Sequence, residues 1–577
     1  MAFDAIVTKA ISTELQLLSG ARIDKIFEPD KNEVILGFYL NGINYALNIS
    51  IDPKNYRVNL TTNLKKNSKE APNFCMVLRK HLIGLHIKNI ITNNLERIIT
   101  IEFEGFDEID DIISKKLVIE LMGKHCNIIL LDDENIIIDS LRHINSENSL
   151  RTILPHIKYI SPKTDKYNFL ECLEFKDFYN KLPSNIDILN ISSIISSLFN
   201  GISKSFLDES INQLNIKEVN IKTLETLYNY INEIINNTDN LKLKFQNIFD
   251  DKKNVKDYFL TVSKDYTPFS LNFFIDDFYY KKETAYNFKT YRDSILKMIL
   301  EILKKYKKRL YNIDEKLKSC DNMQIYKLYG ELIIANLYKI KDNNLEFITL
   351  ENYYNNNEEI TIPLDKRFSA SLNAKNYFKK YNKLKNTLEV VTNQKQETLK
   401  ELDYIESIVY ELENCKTIEE VSQIYEEISE NVIFKERTNK YKKQKNIKVK
   451  KTNLTKNKEI SFNPLKYSIG EFTLLVGRNN KENDYLTLKY ANNSDLWFHT
   501  KDIHGSHAIL LLRDTNIVPN EVLVKCAEIT AYHSKARNSS NAPVDYCYVK
   551  FVKKPKLAKP GMVIYSNNKT LYVKPKI

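Results

Sequence analysis

Two stretches of this 577-residue chain repeat apolar residues at intervals of three and four. Ile295, Met298, Ile299, Ile302, Leu303, Tyr306, Leu310, Ile313 and Leu317 make the first. Tyr377, Tyr381, Leu384, Leu388 and Val391, resumed by Leu402, Ile405, Val409 and Leu412, make the second. Lys and Glu fill the gaps, so each stretch predicts a long amphipathic helix with one apolar stripe, and the two stripes cover each other when the helices pack antiparallel. At 1.5 Å per residue each arm reaches roughly 45–60 Å, which suits a spacer or probe and not a catalytic core. Between the arms, "IYKLYGELIIANLYKI" and "LEFITLENYYNNNEEITIPL" predict a short helix and a strand pair that cap the tip. A plain dimerising coiled coil is the rival reading, and the embedded strands weigh against it.

The segments around these arms predict a multidomain α+β chain, as its length requires. Asp4 is placed to cap a first helix with Ile6, Val7, Ala10, Ile11 and Leu15 on one face. In "EVILGFYLNGINYALNIS", Asn41-Gly42 sits between two alternating runs. A type I′ turn there pairs Leu40 with Ile43, Phe38 with Tyr45 and Leu36 with Leu47. Strand-like runs at 98–103, 116–122, 127–131 and 136–141 make residues 1–165 a β-rich domain. Residues 166–245 are helical, and "SSLFNGISKSFLDES" puts Gly201 in the turn of a helix-hairpin-helix. Such a turn either aims backbone N–H groups at a phosphate or simply ends a helix. Residues 246–284, with "KDYTPFSLNFF" read as loop and strand, return to the first domain. The antiparallel coiled coil covers 285–430 with its small tip domain at 322–372, a basic linker covers 431–460, and a C-terminal α+β domain covers 461–577. In that last domain "EFTLLVGRN", "YLTLKY", "DLWFHTK", "HAILLL", "YCYVKFV", "MVIYSN" and "LYVKP" read as strands, and Pro519 opens a helix.

The chain carries a net charge of +11, which favours a polyanionic partner, since a basic surface releases counterions from phosphate backbones. The excess is uneven: "KERTNKYKKQKNIKVKKTNLTKNK", residues 435–458, holds a single acid, Glu436. It reads either as a polyanion-binding linker or as a charged hinge. Seven cysteines with no C-x-x-C pair suggest neither a disulfide framework nor a zinc module, and fit a reducing compartment. The N-terminus carries acids and helical periodicity instead of a secretory pattern, and no apolar run approaches the roughly 20 residues that span a bilayer. The expected location is cytoplasmic.

"DLWFHTKDIHGSHAILLL" holds the single Trp of the chain and three of its nine histidines. As a strand it puts Trp497, His499 and Lys501 on one face and Leu496, Phe498 and Thr500 on the other. The second set is the expected core and the first the expected contact surface. A metal reading through Asp495, His499, His504 and His507 matches no common zinc spacing. A Ser506 nucleophile lacks the strained elbow that would expose it. Trp and His faces beside Lys stack on unpaired bases while the ammonium meets phosphate, and Lys535 and Arg537 extend that basic surface. The expectation is RNA contact, with no catalytic residue, metal or cofactor. The plain alternative is a half-buried Trp beside satisfied histidines.

"DYLTLKYANNSDLWFHTKDIHGSHAILL", "AYHSKAR" and "KPGMVIYSNNKTLYV" resemble the RNA-binding NFACT-R domain of the RqcH/NEMF family. Upstream, "FCMVLRKHLIG", "LERI", "ELMGKHCNIILLDDENIIIDSLRHI" and "YFKKYNKLK" carry the same resemblance over nearly the whole chain. The resemblance implies a ribosome-associated quality-control factor. Such a protein binds large ribosomal subunits blocked by peptidyl-tRNA and recruits alanyl-tRNA for template-free alanine tailing. The ribosome itself supplies the peptide-bond chemistry. It also implies a role for the arms in reaching the stalk base, and a small S4-like protein as a further partner. Family tRNA-contact positions fall on Asp4 and on Glu96-Arg97, where the carboxylate is one methylene longer than the family's Asp; Arg79 and Lys80 add charge nearby. In the C-terminal domain Asp495, Trp497, His499, Gly505, Ser506 and His507 align with the family signature, with His504 where proline is usual.

Two other classes share features with this pattern. The first domain and helical hairpin resemble the amino-terminal architecture of formamidopyrimidine-type DNA glycosylases, which attack with an N-terminal proline amine; this chain begins Met1-Ala2-Phe3-Asp4. The family has also been called fibronectin-binding adhesins, a role that the expected cytoplasmic location opposes.

Overall fold

Asn41 and Gly42 both adopt positive φ, 49° and 83°, and the turn they form fixes the register the sequence predicts: Leu40 opposite Ile43, Phe38 opposite Tyr45, Leu36 opposite Leu47. In this computed structural model the described residues are 3–577 except 68–69, 93–94, 107–110, 146–150, 251–252, 254, 266, 341–344, 432–433, 435–461, 513–517 and 557. The basic stretch 435–458 therefore lies outside the described residues. Two units, Met1–Thr284 and Ala285–Ile577, carry separate cores.

The first unit is built on a nine-stranded antiparallel sheet. Its strands are β1 (Arg22–Asp30), β2 (Glu33–Leu40), β3 (Ile43–Ser50), β4 (Arg57–Leu60), β5 (His86–Ile91), β6 (Ile98–Phe106), β7 (Ile112–Glu120), β8 (Asn127–Leu131) and β9 (Ile137–Ser140). Their order is β4-β3-β2-β1-β5-β6-β7-β8-β9. Helix α1 (Ala5–Leu15) lies against this sheet and is buried well beyond the single predicted stripe, even at Thr8 and Glu14. A buried Glu must be matched by donors. Glu14 accepts from the backbone N–H of Leu271 at 3.2 Å, the N–H of Asn272 at 2.8 Å and the Asn272 amide at 2.7 Å. It thereby caps a helix that starts at Ser270, and "SLNFF", expected as strand, is helical for that reason. Helix α2 (Asn73–Leu82) packs on β1. The helical insert contributes α3 (Phe175–Tyr179), α4 (Ile191–Leu198), α5 (Lys204–Gln213) and α6 (Ile221–Asp239), followed by the hairpin β10 (Leu243–Phe249) and β11 (Val255–Val262).

Helix α7 (Ser270–Lys318) runs 49 residues, about 70 Å at 1.5 Å per residue. That exceeds the expected arm because its apolar stripe already begins at Leu271, Ile275 and Phe278 in the first unit. In the second unit its remainder lies antiparallel to α9 (Ala370–Asn414), as the ion pairs Lys307–Glu406 at 2.9 Å and Asp314–Lys395 at 2.8 Å show. The tip holds α8 (Met323–Ala335), β12 (Phe347–Asn352) and β13 (Glu358–Pro363), with Leu332, Ile333, Leu350, Ile362 and Tyr377 as its core. At the root, Thr417 and Glu420 form a capping box that starts α10 (Ile418–Glu430). Val421, Ile424 and Ile428 of α10 then complete a three-helix core with Ile295, Ile299, Ile405 and Ile408.

The C-terminal sheet runs β14-β15-β17-β16-β18-β21. Its members are β14 (Leu465–Ile469), β15 (Phe472–Val476), β16 (Leu496–Thr500), β17 (Ala508–Leu511), β18 (Ala542–Tyr548) and β21 (Lys569–Val573). Two further strands, β19 (Val552–Lys553) and β20 (Ile564–Tyr565), make a small hairpin. "YLTLKY" is not a strand. Asn479 caps α11 (Asn480–Tyr485), accepting from Glu482 N–H at 2.9 Å, and the helix runs on into a π turn at Leu486–Tyr490 that buries Leu486. The Pro519-led helix is α12 (Asn520–Tyr532).

Candidate nucleic-acid interface

Strand β16 alternates as predicted, but both of its faces are covered. Leu496 and Phe498 pack with Leu474, Leu510 and Val544 under Cys526 and Ile529 of α12. On the other side Trp497 packs with Leu475, Ile509 and Cys547 beneath Leu486 and Val552. Trp497 is 0% exposed, which corrects the expected stacking surface. Its ring lies 4.7 Å from Tyr565, 5.7 Å from a parallel His499 and 5.3 Å from an edge-on His507. The sequence could not reveal this because the covering elements, the π turn and the β19–β20 hairpin, read as ordinary strands.

Other residues of the signature also make bonds within the fold. Asp495 is buried and accepts from Asn492 N–H at 2.7 Å and Leu512 N–H at 2.8 Å, so it ties the start of β16 to the end of β17. His507 Nδ1 meets the Thr487 hydroxyl at 2.8 Å, and its backbone N–H donates to Asn483. Burial pushes the His499 imidazolium down to about 4 and that of His507 to about 3, so both rings are neutral at pH 7. Gly505 is needed because a Cβ would lie 2.8 Å from both Ser534 Cβ and Thr500 Oγ1. Its loop bonds to the end of α12, with Ser506 N–H to His533 O at 3.0 Å and Lys535 N–H to His504 O at 2.9 Å. Among the described residues no group of three or more His, Cys, Asp or Glu is placed to hold a metal ion.

The candidate residues that are fully exposed are cationic. Lys501, Lys535 and Arg537 are exposed, and the Arg537 guanidinium lies 3.9 Å from the Tyr532 ring centre. Sequence reasoning missed a second exposed group. Lys550 sits over Tyr548 at 5.3 Å and Phe551 at 5.1 Å, and its N–H donates to Asn493 O, which holds it beside the loop carrying exposed Lys489 and Tyr490. The signal was present in "YVKFVKKPK", four lysines interleaved with aromatics and no acid.

In the first unit Asp4, Arg97 and the Gly201 turn converge. Asp4 caps α1, with Oδ1 accepting from Val7 N–H at 3.1 Å and Oδ2 from the Ser203 hydroxyl at 2.6 Å. It is 6% exposed, and burial raises its carboxyl above the usual range, opposed by Ser203 and the nearby Arg97. Both carboxylate oxygens of Asp4 are thus engaged within the fold. Gly201, φ +82°, has room for no Cβ: Leu95 O would be 2.3 Å away. Its carbonyl accepts from Ala5 N–H. The turn is therefore a packed junction. Arg97 is half-buried, with Nη1 donating to Tyr56 Oη at 3.4 Å, and it forms no ion pair among the described residues. Burial lowers the Lys166 ammonium, and the Arg97 charge adds to that effect. Glu96 does not pair with Arg97; burial alone raises its carboxyl. Arg79 is engaged within its own helix–strand junction: Nε and Nη2 both donate to Ile26 O, at 2.9 and 2.7 Å, and the guanidinium lies over Phe27, so α2 is pinned to β1. Lys80 is exposed on the same helix.

The family described as NFACT N-terminal and middle domains matches residues 4–447, and the NFACT protein RNA binding domain matches residues 460–567. The chain belongs to the NFACT family. Among NFACT relatives, a Bacillus subtilis protein named Rqc2 homolog RqcH is 33% identical over 592 residues, covering 100% of this chain and 98% of its own. The Streptococcus suis protein of the same name is 32% identical over 585 residues, again covering 100% and 98%. A solved structure described as the fibrinogen binding protein from Staphylococcus aureus covers 48% of this chain and 99% of its own at 28% identity, with a TM-score of 0.41; a likeness that low does not bear on function.

Proposed function

We propose that this NFACT protein acts in ribosome quality control as a non-catalytic RNA-binding scaffold on obstructed large ribosomal subunits. It recruits tRNA, in this reading alanyl-tRNA, beside a peptidyl-tRNA, and the ribosome's own centre makes the bonds of the alanine tail. A small S4-like protein is a further partner in the same reading, and the cytoplasm is where such a complex works. Among the described residues no helix is long and apolar enough to cross a membrane.

The observation that carries this reading is Arg97, a half-buried guanidinium without an ion pair among the described residues, in a chain that parallels RqcH proteins from end to end. A guanidinium desolvated and left without a carboxylate is a strong binder of phosphate or of a base edge. Tyr56 Oη accepts from it, and the nearby Asp4 acts on it through charge alone. Holding two substrates in register accelerates their reaction without a reactive side chain, through avoided loss of translational freedom. Arg97→Ala is expected to abolish recovery of tRNA with the protein while co-sedimentation with large subunits persists. Equal tRNA in mutant and wild-type pull-downs would reject the assignment.

A further inference from the structure

Within the second unit, a cavity of about 180 Å³ opens between the α9–α10 root and the C-terminal sheet. It is smaller than the roughly 300–1,000 Å³ pockets that hold larger ligands. Its walls are aromatic: Tyr410 from α9, Tyr467 from β14, and Tyr532 and His533 at the end of α12. Tyr467 Oη and His533 Nε2 lie 2.7 Å apart, so two of these rings are fixed relative to each other. Gly505 and Ser506 of the signature line the same space.

Glu411, 8% exposed, also lines the cavity; the Asn480 backbone bonds to its carboxyl, and its Oε2 has no hydrogen-bond partner among the described residues. An orphaned polar atom at this depth costs free energy unless something fills the role of partner. Exposed Lys416, Asn414 and Arg537 stand at the rim, and the one acid facing an arginine there, Glu420, is already paired with Arg478 at 3.1 Å.

We propose that this cavity receives one unpaired nucleobase of bound RNA, stacked against the tyrosines, with its hydrogen-bonding edge on Glu411 and the adjoining phosphate on Arg537 and Lys416. This deepens the RNA-scaffold reading and rests on it. Aromatic walls suit any base face, and cations at the rim suit the backbone that must enter with it. Burial, with Glu427 nearby, raises the Glu411 carboxyl well above its usual range. A neutral carboxyl offers an O–H donor next to a C=O acceptor, the complement of the adjacent acceptor and donor that an unpaired base presents.

The test is a fluorescence titration of the full chain with a short oligouridylate carrying one fluorescent adenine analogue, which is quenched on stacking. Wild type is expected to quench. Glu411→Leu, which keeps the volume and removes both polar atoms, is expected to weaken binding about tenfold, and Glu411→Gln, which restores a donor and an acceptor, to recover most of it. Should Glu411→Leu fail to fold by circular dichroism, Tyr532→Ala removes a half-exposed wall and decides the matter by the same loss of quenching. Unchanged quenching and affinity in Glu411→Leu and Tyr532→Ala would overturn the proposal. Adenosine monophosphate is expected to compete weakly; competition as strong as the oligomer's would assign the cavity to free nucleotides instead. Large-subunit co-sedimentation separates the two levels: if wild type does not co-sediment, the scaffold reading fails, whereas co-sedimentation with unaltered variants sinks the base pocket alone.

Discussion

Trp497 and Lys550 stand in opposite environments within one domain. Trp497 is fully enclosed by Tyr565, His499 and His507, so Trp497→Ala leaves a cavity and is expected to cost about 3–5 kcal/mol of stability, read by denaturant titration. Tyr548 and Lys550 stand in solvent. Replacing both with Ala is expected to weaken binding to single-stranded RNA about tenfold, the scale of one lost base stack, with the unfolding midpoint almost unmoved. A destabilised Tyr548/Lys550 variant, or a stable Trp497→Ala, would reverse the assignment of surface and core. The strand alternation of "DLWFHTK" was legible in the sequence. Which face met water was not, because that depends on whether a distant hairpin and a π turn fold over it. Arg79 teaches the same lesson. Its sequence neighbours suggest a cationic patch, and only the structure shows the Ile26 carbonyl accepting from both Nε and Nη2.

At the scale of elements, local chemistry was legible wherever it acts within a few residues. The Asn41-Gly42 turn, the Asp4 cap and the antiparallel arms follow from short-range rules and appear as read. The start of α7 did not, since its cap is Glu14, more than 250 positions away in sequence. Two glycines separate conformational from steric demand. Gly42 has φ +83° and open space around its missing Cβ; Gly201 has φ +82° and a carbonyl oxygen 2.3 Å from where that Cβ would be. Gly42→Ala is expected to cost about 1 kcal/mol, from backbone strain alone. Gly201→Ala adds the displacement of Leu95 and Ala5 and is expected to cost upwards of about 3 kcal/mol. Equal losses in the two variants, measured by thermal unfolding, would show that the helical turn is not seated on α1 as described.

For the whole molecule, the placement of titratable groups makes stability depend on pH through opposing contributions. The first group comprises His499, His507 and His533 in the second unit, held to about 4, 3 and 4 by burial. Between pH 6.5 and those values the unfolded chain takes up protons that the folded one refuses, so stability falls as the medium is acidified. Glu427 acts in the other direction. Burial raises its carboxyl to about 7, with Tyr404 Oη donating to it at 2.7 Å. From pH 7 down to its ordinary value near 4.5, the folded state keeps a proton that the unfolded chain releases. Its contribution is complete at low pH and is lost as pH rises towards 7. Glu427→Gln removes this contribution and leaves the histidines opposed only by the other raised carboxyls, Glu411 among them. The slope of unfolding free energy against pH between 5 and 7 should then steepen by up to about 1.4 kcal/mol per pH unit. Denaturant titrations of wild type and variant across that range measure it directly. Parallel slopes would mean that Glu427 is already ionised in the folded protein, and that the α10 root excludes less water than its core of Val421, Ile424 and Ile428 implies.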